Sequence, residues 1–127
     1  MDTAKVTAIS QYIRENQSTP FEWGVFDCCV FASHIVKLQT GLDLYEPYRG
    51  IYSSKKASIK ALATIGTIES QLDNHFDRID PSLAQRGDVH MLASGVMAVQ
   101  FAGYIWATSE KGVSITQEET NICWRVA

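Results

Sequence analysis

The chain has 127 residues, a formal charge of −3, 46% apolar residues and 20% charged residues. This balance is ordinary for one soluble globular domain, which at this size buries roughly two-thirds of its unfolded surface without a metal or disulfide staple. The sequence has no basic block or stripe and no apolar run near the length of a bilayer span, so neither nucleic-acid binding nor membrane insertion is expected.

The N-terminus, MDTAKVTAISQYIRENQ, lacks the apolar h-region of a secretory signal, so synthesis and folding in the cytoplasm are expected. Val6, Ile9 and Ile13 recur at helical spacing, with Tyr12 beside them, and predict an amphipathic helix ending before Ser18-Thr19-Pro20. An aromatic loop, Phe21-Glu22-Trp23-Gly24, follows. A second helix is predicted from Asp27, a good N-cap, to Thr40-Gly41, with Phe31, Ile35 and Leu38 on one face. Leu42 to Tyr52, with Pro47 and Gly50, reads as a structured loop. Ser54 caps a third helix with Ile59, Leu62 and Ala63 inward and Gly66 as its stop, and Thr67 to Phe76 is a shorter fourth.

After Asp80-Pro81 the pattern changes from helical to alternating. Val89 to Leu92, Val96 to Phe101, Gly103 to Thr108, Gly112 to Thr116 and Ile122 to Val126 are short β-rich runs separated by turn residues. Helices first and strands afterwards predict an α+β domain over 1–127, with N-terminal helices packed on a C-terminal antiparallel sheet.

The residues with chemical potential are few. Three cysteines, two of them adjacent, form neither a disulfide framework nor a zinc-ligand spacing, and no metal or cofactor is expected. Cys28 follows the cap Asp27, so its thiol meets the positive end of the helix dipole, which favours thiolate. Cys29 is rotated by about 100° from it and takes a separate role. A cysteine hydrolase also needs a base, usually His. His34 lies about 9 Å along the same helix and some 240° around it, out of reach of Cys28. His75 sits in the polar run DNHFDR and reads as solvated. His90 lies in the first predicted strand, on the face opposite Val89 and Met91. If those two face the helices, His90 faces away from Cys28, as a strand histidine rather than a base. Asp88 holds the turn entering that strand, and Trp23, Trp106 and Trp124 read as packing aromatics.

Asp27-Cys28 followed by Phe31, and later Gln85-Arg86-Gly87-Asp88-Val89, resemble the NlpC-type papain-like cysteine peptidases. Five blocks in order are similar to a compact family of phage proteins often encoded among tail genes. They are Pro20-Phe21-Glu22-Trp23-Gly24, Asp27-Cys28-Cys29-Val30-Phe31, Arg49-Gly50-Ile51-Tyr52, Ala84-Gln85-Arg86-Gly87-Asp88-Val89 and Cys123-Trp124-Arg125-Val126. The resemblance implies a papain-like fold, Cys28 as the inherited nucleophile position, and a phage setting. It also exposes departures. The superfamily's second strand usually opens with the catalytic His, and Ala98 is expected at that position here. The phage relatives often carry His before Asp-Cys, where this chain has Phe26.

The resulting expectation is a phage tail structural or assembly protein with an impaired site. It would be located in the virion tail, assembled in the host cytoplasm, and partnered by other tail or baseplate proteins. The alternative is an active tail-associated peptidoglycan endopeptidase, with Cys28 as nucleophile and His90 or a partner chain as base. A third reading is a free-standing cytoplasmic binding module.

Overall fold

Each predicted helix begins where a short polar side chain can take an orphan amide of the first turn. In a computed structural model describing residues 1–126, these are α1 (Thr3–Glu15), α2 (Cys28–Thr40), α3 (Lys55–Ile65) and α4 (Ile68–His75). Their caps are Asp2, Asp27, Ser54 and Thr67, each accepting a backbone N–H three residues on. α2 ends at Gly41, whose φ of 80° is the left-handed conformation that glycine adopts without strain. The loop over residues 42–52 is held by a 3₁₀ turn, Glu46–Tyr48, and buries Leu44, Tyr45 and Tyr48. Tyr48 Oη donates to Gly66 O at 2.6 Å and accepts from Gln71 Nε2 at 3.1 Å, tying the loop to α3 and α4.

The expected inward face of α3 needs correction. Ile59 is 58% exposed and Ala63 is exposed, whereas Ser58 and Ala61 are buried. The small pair allows close approach, and the Ser58 hydroxyl donates to Lys55 O at 2.7 Å, so its burial leaves no unpaired group.

The strands are β1 (Arg78–Ile79), β2 (Val89–Leu92), β3 (Met97–Phe101), β4 (Tyr104–Ser109), β5 (Gly112–Thr116) and β6 (Thr120–Trp124). They form one sheet in the order β1-β6-β2-β3-β4-β5, with every pairing antiparallel. The fold is therefore α+β, with four helices and a six-stranded antiparallel sheet. β1 is not visible in the sequence, because two residues show no alternation. Only its pairing with β6 (Arg78↔Trp124, Ile79↔Cys123) defines it.

Alternation sorts the sheet into two faces. Val89, Met97, Val99, Phe101 and Trp124 join Ile9, Ile13, Phe31, Ile35 and Val36 in the main core. Leu92, Ala98 and Ala107 form a smaller cluster on the other face. Asp88 does hold the turn before β2, accepting Gln85 N–H at 2.8 Å. It also accepts from Arg125 Nε at 3.0 Å and Val126 N–H at 3.0 Å, so one buried carboxylate joins the β2 entry to the end of the chain.

Candidate functional site

The site grows from the first turn of α2. Asp27 is 1% exposed, and both its oxygens are engaged. Oδ1 accepts Val30 N–H at 2.9 Å, closing the cap. Oδ2 accepts Gly24 N–H at 3.0 Å and the Tyr52 hydroxyl at 2.6 Å. One side chain thus fixes the aromatic loop, the helix start and the loop before α3. Gly24 is obligatory here. Its φ is +78°, and a Cβ would overlap the carbonyl oxygen of Tyr52. Burial, followed by the bond to the Asp27 carboxylate, pushes Tyr52 ionisation far above the ordinary phenol range.

Cys28 is the first residue of α2, and the helix packs on β3, the neighbour of Val89 in β2. Cys28 and Cys29 are both half-buried and line one cleft of about 520 Å³. The rotation of about 100° between them leaves these adjacent first-turn thiols in contact, with opposite effects on each. The Cys29 thiol holds the Cys28 thiol below its ordinary range, and the Met97 amide adds to this against the opposing effects of burial and of Asp27. The same contact, with burial, pushes Cys29 well upward. The contact therefore favours ionisation of Cys28 over Cys29. Cys123, fully buried on the far side of the sheet, is pushed up to about 12 by burial, with Asp88 contributing.

No histidine lines this cleft. His90 pairs with Ala98 across β2 and β3 and shares its face, away from the helices. It is 1% exposed. Nε2 donates to Gln100 Oε1 at 2.9 Å, and Nδ1 accepts from the Thr120 hydroxyl at 3.0 Å. Burial lowers its pKa, so the ring is neutral. Both nitrogens are occupied by structural bonds on the wrong side of the sheet. His34 is exposed and stacks on Tyr12, ring centroids 4.1 Å apart, and His75 is exposed at the end of α4.

The expectation that Ala98 stands where a histidine would face Cys28 is also corrected. Ala98 is turned to the opposite face, and the turn before β3, Ser94, Gly95 and Val96, is the part of that segment lining the cleft. Thr108 of β4 lines it too. Trp23 is part of the cleft wall rather than the core, packed edge-on against Phe21 with centroids 4.8 Å apart.

The five sequence blocks converge on two places. Phe21 and Trp23, Asp27 and Cys28, and Tyr52 come from three blocks and meet at the cleft. Asp88 and Arg125 come from the other two and bond to each other. Tyr52 and the Met97 amide are site groups that residue-by-residue reading passes over. The only signal for Tyr52 is its place in the Arg49-Gly50-Ile51-Tyr52 block, and a backbone amide leaves none.

Among the described residues no cluster of His, Cys, Asp or Glu could hold a metal ion, and no helix is long and apolar enough to cross a membrane. No curated protein and no solved structure matches the chain. A family profile described as a domain of unknown function (DUF6950) matches residues 3–126, nearly the whole sequence, and the chain belongs to that family.

Proposed function

We propose that this chain is a phage tail structural or assembly protein, built on a papain-like NlpC-type scaffold whose site no longer hydrolyses amides. One observation carries the second half of this reading: the cleft around Cys28 has a nucleophile and no imidazole. Amide hydrolysis needs a proton delivered to the departing amine, which the histidine of a cysteine peptidase supplies. Here the nearest candidate in the sheet, His90, is bonded on the far face. Loss of one member of a coupled catalytic set costs several orders of magnitude in rate.

The Asp-Cys start of a helix packed on an antiparallel sheet supports the papain-like reading, and the five ordered blocks support the phage-tail setting. The partners are other tail or baseplate proteins, and the location is the virion tail, assembled in the host cytoplasm. Incubating muropeptides with the wild type and with Cys28→Ala tests the catalytic half, and equal, background-level release is expected. Mass spectrometry of purified particles tests the structural half, and absence of the chain from them would overturn it.

A second reading is favoured by the lowered Cys28 thiol and its open cleft: a peptidoglycan endopeptidase whose base comes from a partner chain. Muropeptide release by the assembled particle, lost with Cys28→Ala, would select it.

A further inference from the structure

We propose that Cys28 is an acyl acceptor for thioesters of apolar carboxylic acids, with the acyl chain held in the cleft. The inference rests on the reading that the site lacks a general acid. What such a site can do is set by the leaving group. An amine must be protonated to depart, whereas a thiolate leaves without a proton because it is a weak base, its conjugate thiol having an ordinary pKa of about 8.5. A cleft without imidazole is closed to amides and open to thioesters.

The remaining parts of the reaction are present. Cys29 and the Met97 amide support the Cys28 sulfur as thiolate. Asp27 closes the first turn of α2, its carboxylate taking the orphan Val30 N–H and its carbonyl accepting the first intrahelical bond from Phe31 N–H. Among the described residues the amides of Cys28 and Cys29 meet no oxygen acceptor. The Cys28 amide turns to its own sulfur, and the neighbouring Cys29 amide at the helix N-terminus suits a developing oxyanion.

The cleft walls then choose the acyl group. Trp23, Ile59, Leu62, Ile68 and Val96 make the lining mainly apolar, and the volume of about 520 Å³ is that of a small-molecule pocket. Lys55 is the cation at the cleft and makes no ion pair among the described residues, so it can meet an anionic thiol carrier. The Asp27 carboxylate is committed to three donors, Gly24 N–H, Val30 N–H and the Tyr52 hydroxyl.

In the step itself the Cys28 thiolate attacks the thioester carbonyl carbon and forms the new S–C bond. The oxyanion collapses, the old C–S bond breaks, and the carrier leaves as thiolate and takes its proton from water. The Cys29 proton stays on Cys29. The sum is exchange of one thioester for another, with no redox change and no added co-reactant. Without a base to activate water, the acyl-Cys28 persists.

The test uses the full chain, S-octanoyl-N-acetylcysteamine, its acetyl counterpart and N-octanoylglycine, followed by intact and peptide mass spectrometry. One octanoyl group is expected on Cys28, formed roughly tenfold or more faster than on free N-acetylcysteine. An apolar pocket discriminates by about that factor, so the octanoyl thioester should also outpace the acetyl one roughly tenfold. Cys28→Ser should abolish the adduct. Ile59→Asp, in the cleft wall, should slow octanoyl transfer and shrink the octanoyl-to-acetyl preference. N-octanoylglycine should remain intact. No adduct on folded wild type, equal octanoyl and acetyl rates, or labelling that survives in Cys28→Ser would overturn the inference alone. Cleavage of the amide at a comparable rate would overturn the missing general acid, and the inference with it.

Discussion

Replacing Asp27 by Ala removes three interactions at once, and their sum can be worked from the structure. Loss of the cap to Val30 costs about 1 kcal/mol. The bonds from Gly24 N–H and the Tyr52 hydroxyl end on a 1% exposed carboxylate, and each is worth about 1.5 kcal/mol, the low end for such acceptors. Relief of burying the charge offsets part of the total, leaving about 3 kcal/mol. In a domain whose whole stability is on the order of 5–15 kcal/mol, that is a large share. Urea unfolding should show a midpoint lowered at unchanged slope, and thermal unfolding a drop of roughly 10 °C. A double-mutant cycle with Tyr52→Phe isolates the shared term, which should exceed about 1 kcal/mol. A loss below about 1 kcal/mol for Asp27→Ala, or strict additivity with Tyr52→Phe, would refute the view that Asp27 is a buried junction rather than a surface cap.

Three further outcomes are expected. Gly24→Ala should destabilise by about 3 kcal/mol or more in denaturant titration, because left-handed backbone strain adds to overlap with the Tyr52 carbonyl. Iodoacetamide at neutral pH should label Cys28 before Cys29 or Cys123, and Cys29→Ala should slow Cys28 labelling by raising its thiol, as peptide mass spectrometry would read. His90 has a folded-state pKa below its ordinary 6.5, so the unfolded chain binds the proton first as pH falls. Its contribution is therefore complete above pH 6.5 and declines below it. Urea unfolding at several pH values should show this decline weakened in His90→Gln.

Much of the helical half was legible because it is locally encoded. Asp27, Ser54 and Thr67 sit where capping chemistry places them, and Gly41 and Gly66 end the helices they follow. The face of α3 was not legible, since Ile59 and Ser58 exchange their usual places only because the cleft lies beneath that helix. Neither β1 nor the bounds of β6, Thr120–Trp124 against the expected Ile122 to Val126, are legible locally, because both are defined by pairing across the chain rather than by their own pattern. Alternation alone puts His90 on the far face, while only the register of β2 and β3 shows that Ala98 lies on that face too, away from Cys28.

Local spacing by itself determined the order of elements, the cap at Asp27, the position of Cys28 on the first turn and the exclusion of His34. These depend on backbone geometry within a few residues, which short-range periodicity encodes. The tertiary structure decided the rest: that Cys29 shares the cleft, that Tyr52 closes on Asp27, that the Met97 amide meets the Cys28 sulfur, and that Arg125 locks onto Asp88. Those contacts join residues 25 to 69 positions apart for Tyr52, Arg125 and Met97, and follow from the sheet order β1-β6-β2-β3-β4-β5, which no local pattern specifies.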